Sequence, residues 1–140
     1  MSDAVLNDIS TALYACLTGS TALTTLLAGA TSVYDTQAPD GATYDYVAFS
    51  HTGGGPTNQT PRDDQNNLFF VRAYSHTSAK KAGQIDAQLY SLLHHKLLTV
   101  SGWSNFWMAR ETNLKMIENE PSGGKIWMQG GYYRIRLDRD

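Results

Sequence analysis

Residues 67–95 constrain this chain more than any other stretch. Phe69, Val71 and Ala73 alternate with Leu68, Phe70, Arg72 and Tyr74, the period-two pattern of a strand with two unlike faces. Thr77 and Ser78 then stand where a helix should start, and Ala82, Ile85, Leu89, Leu92 and Leu93 recur at the helical period. His94, His95 and Lys96 close the run, where cations suit the carbonyl end of a helix. The spacing predicts a strand from residue 67 and a helix over 78–96.

The flanking sequence extends this pattern. Over 3–17, Val5, Ile9, Ala12, Leu13 and Cys16 form one stripe of a helix that Gly19 ends. Ser20 or Thr21 caps a short second helix carrying Leu23, Leu26 and Leu27. Val33 and Tyr34 are a short extended piece, residues 37–41 are turn material, and 44–49 read as a strand. Residues 52–66 hold three consecutive glycines and no apolar side chain besides Pro56 and Pro61, so they are expected to form a long mobile loop. Extended stretches follow at 105–111 and 114–117, then a turn over 118–124. The last strand covers 126–128 and 132–137, with Gly130 and Gly131 marking a bulge or a close approach. In it Tyr133, Ile135 and Leu137 face one way, and Tyr132, Arg134 and Arg136 the other. Neighbouring strands with short turns, bracketed by helices, give an α+β fold: a mixed, largely antiparallel sheet with helices packed mainly on one face. Residues 1–140 are expected to be a single domain.

Charge narrows the function. A net charge of −2 argues against a protein whose main task is gripping phosphates. Cys16 is the only cysteine, so no internal disulfide is possible, and its place on the apolar stripe makes it a small packing residue. The first eight residues lack the basic cluster of a secretory signal, and no apolar run reaches the roughly 20 residues of a membrane span. A soluble chain made in a cytoplasm is the expectation, with no membrane partner.

No catalytic or cofactor motif emerges. Gly53, Gly54 and Gly55 precede a proline instead of a helix, and Gly123, Gly124 and Lys125 are followed by Ile126 where a phosphate loop needs a hydroxyl. Both are turns. His94 and His95 are adjacent, so they cannot share an ion at the i, i+4 spacing that zinc requires, and His94 is expected to be solvated. No metal, cofactor or catalytic residue is assigned. A small ligand-binding domain or enzyme, with pocket residues drawn from Tyr44, Tyr46, His51 and His76, is the alternative from a different class.

Bulk on both sides of the later strands points to assembly. Trp107 has Phe106 and Met108 beside it, and Trp127 has Ile126 and Met128. A sheet apolar on both faces needs a cover for each, and the helices here supply one. Phe70, Arg72 and Tyr74, with Tyr132, Arg134 and Arg136, form the aromatic and arginine mixture that suits an interface.

The order of these fragments resembles the small tail-completion, or tail-terminator, proteins of long-tailed bacteriophages. The resemblance runs from Ala12, Leu13 and Tyr14 through residues 21–27, Val33 to Asp35, Ala38 and Pro39, and Tyr46 and Val47. It continues with the charged loop Arg62, Asp63 and Asp64, residues 70–74, and the closing Tyr133, Arg134, Ile135 and Arg136. It implies a structural virion protein assembled in the host cytoplasm, a homo-oligomeric six-fold ring at the neck end of the tail. Such a ring stops tube polymerisation and offers a head-tail joining surface. Tube protein and a connector or neck protein would be its partners, with DNA passing through unbound, and Arg62, Asp63 and Asp64 join the expected contact residues. Another neck protein, such as a head-completion factor, is the nearer rival.

Overall fold

The computed structural model describes residues 4–58, 63–121 and 123–140. Helix α1 (Val5–Thr18) is followed by the four-residue α2 (Thr21–Thr24), whose first turn is capped by Ser20 Oγ accepting from the Leu23 amide at 3.3 Å. Strands β1 (Val33–Asp35), β2 (Tyr46–Pro56) and β3 (Asp64–Ser75) precede α3 (Ala79–Leu93), and β4 (Thr99–Val100), β5 (Trp103–Asn119) and β6 (Lys125–Arg139) complete the order. The six strands form one sheet in the order β1-β2-β3-β6-β5-β4. Among the described residues only β1 and β2 run parallel; the other pairs are antiparallel.

The alternation read in β3 and β6 is the alternation of burial. Phe69, Val71, Ala73, Tyr133, Ile135 and Leu137 are buried together with Ile9, Leu13 and Leu17 of α1 and Ile85, Leu89 and Leu93 of α3 in one core. Of Thr77 and Ser78, it is Ser78 that caps α3, its Oγ accepting from the Lys81 amide at 3.0 Å. In α1 the stripe turns slightly: Leu17 is fully buried and Cys16 only partly, packed at the edge of the core.

Three expectations need correction. Residues 52–66 are not one long loop, because β2 continues through the glycines. Gly53, Gly54, Gly55 and Pro56 pair with Leu68, Asn67, Asn66 and Gln65, after a bulge between His51 and Gly53. Main-chain pairing needs no side chain, so low packing capacity did not forbid a ladder. Gly54 fits because its φ is +93°, and a Cβ there would run into Asn66 and Asn67. Secondly, α3 stops at Leu93 instead of continuing to residue 96. His94 and His95 leave the helix to cover the outer edge of β5, with the His95 amide on the Met108 carbonyl at 2.9 Å. Thirdly, residues 103–119 are one strand and the sheet's bulges fall in β5 and β2, while β6 runs unbroken through Gly130 and Gly131. Those glycines mark a close approach: a Cβ on Gly130 would lie 2.6 Å from Arg72 Cα, and one on Gly131 would lie 2.6 Å from Arg110 Nε.

Candidate functional site

The sheet face opposite the core carries most of the expected contact residues. Cross-strand pairing puts Phe70 beside Tyr132, and their rings stack with centroids 4.9 Å apart. Arg72 lies between Phe70 and Tyr74, its guanidinium 4.9 Å and 5.7 Å from the two ring centres. Arg72 also donates to Tyr74 Oη at 2.8 Å, Ser50 Oγ at 3.0 Å and the Thr36 carbonyl at 3.2 Å, tying together β1, β2 and β3. Further along, Arg134 is held by Glu111 through two bonds of 3.0 Å and by Asn66 at 3.1 Å. The hydrogen bonds from Arg134 hold the Glu111 carboxyl below its ordinary range. Arg136 stacks over Phe106 at 5.1 Å.

The charged trio is divided. Asp63 is exposed and pairs with Arg139 at 2.5 Å, while Asp64 is a buried residue of β3 opposite Asp138. Arg62 lies outside the described residues. Among the tryptophans, Trp103 is core, Trp127 is half-buried and Trp107 is exposed.

The alternative pocket is brought together only in part. Tyr44, Tyr46 and Tyr74 line a cleft of about 400 Å³ with Arg72, Glu118 and Glu120. Tyr44 stacks on His76 at 3.8 Å, and His76 Nε2 lies 3.0 Å from Glu120 Oε1, fastening the β5–β6 turn to the end of β3. Burial, then the bond to Tyr44, raises the Tyr46 pKa well above its ordinary value, so this phenol stays protonated. His51 is not in that cleft. Its Nε2 lies 3.0 Å from Asn67 Oδ1, on the buried side of β3. Among the described residues no group of three or more His, Cys, Asp or Glu could hold a metal ion, and no helix is long and apolar enough to cross a membrane.

One polar centre escaped the sequence reading. Arg110 reaches across from β5 to α3 and makes two bonds to Asp86, at 2.5 Å and 2.8 Å, while also donating to Tyr133 Oη at 2.6 Å and 3.0 Å. Burial alone would lower the Arg110 pKa, but Asp86 and Tyr133 more than offset it, and the net shift is upward. Arg110 and Asp86 lie 24 residues apart, and no local spacing links them.

The sequence matches the family model of tail completion protein gp17 over residues 11–122. No curated protein matches the chain. Among solved structures, a chain from the virion of a native gene transfer agent particle superposes with a TM-score of 0.77 at 17% identity, covering 98% of this chain and 99% of its own. A second solved chain superposes with a TM-score of 0.56 at 14% identity, covering 99% of this chain and 97% of its own. At such identities the likeness is one of fold.

Proposed function

The chain belongs to the tail completion protein gp17 family, and from that premise we propose that it is a structural virion subunit that closes into a six-fold ring on the head-proximal end of the tail tube. There it halts tube growth and offers the joining surface for a connector or neck protein. The observation that carries the reading, given the family, is the mixed face of β3 and β6. Phe70, Arg72, Tyr74, Tyr132 and Arg134 are partly exposed there, a composition suited to a desolvated contact between chains. Both long helices are taken to lie over the opposite face, a reading supported by their shared core with Phe69, Val71 and Tyr133. That arrangement leaves the mixed face for assembly, with residues 1–140 acting as one tail-terminator domain.

Function on this reading is occupancy, with no chemical step. One surface matches the growing end of the tube and another does not match the next tube subunit, so the ring is heterologous within its plane and terminal along the axis. Arg62, Asp63, Asp64 and Arg136 complete the proposed contact set. A mildly acidic chain suits a lumen through which DNA passes without being held. Electron microscopy of tail tubes with and without the protein tests the proposal. Tubes of uniform length ending in a six-fold cap are expected; tubes that lengthen normally and bind no protein would refute it.

A further inference from the structure

One edge of the sheet is open over a long run. β5 is covered at its start by β4 and then by the segment after α3, where the His95 amide bonds to the Met108 carbonyl and His94 Nδ1 accepts from the Arg110 amide. From Thr112 to Asn119 it pairs with β6 on one side, and among the described residues no strand lies on the other. This arm is exposed along almost its whole length, and Met116 and Ile117 are each 52% accessible. Between Thr112 and Asn119 there is no proline and no bulge, and Lys115 is the one cation, so little blunts the edge. An extended, partly apolar edge of this kind is a template for another strand.

The bonds at the two ends of the arm show which of its groups point outward. At the near end, Met108 and Arg110 use main-chain groups on the side away from β6, and the extra residue Glu111 follows before Thr112 stands opposite Tyr132. At the tip, the Glu120 amide bonds to the Gly124 carbonyl, so Glu120 points toward β6. Alternation then turns the amides and carbonyls of Asn113, Lys115, Ile117 and Asn119 away from β6. Among the described residues no main-chain partner meets them there.

A second arm laid antiparallel beside the first, about a two-fold axis through the sheet, sets outward residues opposite outward residues, and the centre of the pairing decides which. Centred on Lys115, it opposes two lysines, which is unfavourable. Centred on Ile117, it sets Asn113 against Pro121, which has no amide to donate. Centred nearer Thr112, it runs onto the bulge at Glu111 and the His94 cover. Centred on Met116, it sets Lys115 opposite Ile117, Asn113 opposite Asn119 and Leu114 opposite Glu118, with no like charges opposed and the two Met116 side chains together on the axis. That register uses every outward group of the arm. We propose that two copies of this chain pair in this way, β5 against β5 about Met116, so that one sheet runs through both. The contact goes beyond the ring reading. It is isologous and cannot repeat around a six-fold axis, so the pair is a form of the free protein.

Single cysteines in a Cys16→Ala background test the register. Opposed residues in such a pairing lie about 4.5–5.5 Å apart at Cα, within disulfide reach. Lys115 and its own copy, or Ile117 and its own copy, are offset along the strand and lie roughly 8 Å apart, beyond it. Met116→Cys alone should therefore oxidise to a covalent dimer, and so should Lys115→Cys mixed with Ile117→Cys, while neither of those two should do so by itself. Cross-linking of Lys115→Cys or Ile117→Cys alone at the yield of Met116→Cys would overturn the register, as would no dimer from any of them. Ile117→Pro provides a second measurement, because it removes an outward amide and leaves the bonds to β6 in place. The two-fold doubles that loss, so the dissociation constant in sedimentation should rise about tenfold or more with an unchanged circular dichroism spectrum. A dimer of unchanged affinity in that variant would overturn the edge contact. A parent that sediments as a monomer at every concentration would end this proposal and leave the ring reading, which concerns the protein on tubes, where it stands.

Discussion

His94 Nδ1 accepts the backbone amide of Arg110 at 3.1 Å, so this ring must be neutral at Nδ1 and carry its proton on Nε2. Tyr90 and His95 both stack on it, with centroids 4.3 Å and 4.0 Å away. Desolvation first, then the nearby His95 and Arg110, pushes the His94 pKa below its ordinary 6.5. The unfolded chain therefore binds the proton before the native state does, and stability rises with pH through this window. The contribution is fully present above about pH 6.5 and is lost as pH falls toward the native value. Urea unfolding at pH 7.5 and pH 5.5 should show the loss, and His94→Gln should flatten it. An unchanged slope in that variant would place the pH dependence elsewhere.

The buried pair of Arg110 and Asp86 supplies a second prediction. Their side chains are 6% and 14% accessible, so removing one partner strands a charge. Asp86→Ala should cost about 3–5 kcal/mol. The double variant Asp86→Leu with Arg110→Met should cost less than Asp86→Ala alone, because no uncompensated charge remains. Chemical denaturation of the three proteins decides it, and a double variant as weak as the single one would show that packing, not charge, dominates.

Glycines in the sheet should separate sharply. Gly130→Ala sets a methyl group against the Arg72 main chain in the middle of the sheet, and overpacking of this kind costs about 1–3 kcal/mol. Gly55→Ala, whose Cβ would meet nothing within 4 Å, should leave the melting temperature nearly unchanged. Equal losses at both positions would mean that the close strand approach at Gly130 relaxes freely.

Arg134 and Arg72 should respond differently to charge reversal. The Arg134–Glu111 pair is solvent-exposed, and such pairs contribute about 0–1 kcal/mol to a single chain. Arg134→Glu should therefore leave melting almost intact while weakening assembly in sedimentation. Arg72→Glu should lower both, since Arg72 also links Thr36 and Ser50 to β3. Normal assembly of both variants would remove this face from the interface.

Cutting out residues 53–66 and closing the gap with a short turn should destabilise the fold. The cut removes the paired end of β2 and the buried Asp64 and Gln65. Circular dichroism and melting measure the outcome, and a native melting temperature would show that this end of the sheet is dispensable.

Phe69, Val71, Ala73, Tyr133, Ile135 and Leu137 were legible because alternation in a strand is a direct image of which side is buried. The continuation of β2 through Gly53, Gly54 and Gly55 was not, since a ladder is held by main-chain groups that side-chain pattern does not report. The end of α3 was misplaced for a related reason. His94 and His95 are drawn off the helix by Arg110 and Met108, and no local signal encodes that distant attraction. On the mixed face, Phe70, Arg72 and Arg134 could be placed from alternation alone, whereas the burial of Asp64 could not, because its neighbours in the sequence are all polar.

β6 follows every other strand in the chain, yet it lies between β3 and β5. During synthesis both of those strands emerge before the partner they share, and the wide sheet can form only once β6 has left the ribosome. Such late, long-range closure makes folding slow and exposes unpaired edges for a time. A chain stalled or truncated ahead of β6 has neither a complete sheet nor the Tyr132, Arg134 and Arg136 side of the mixed face.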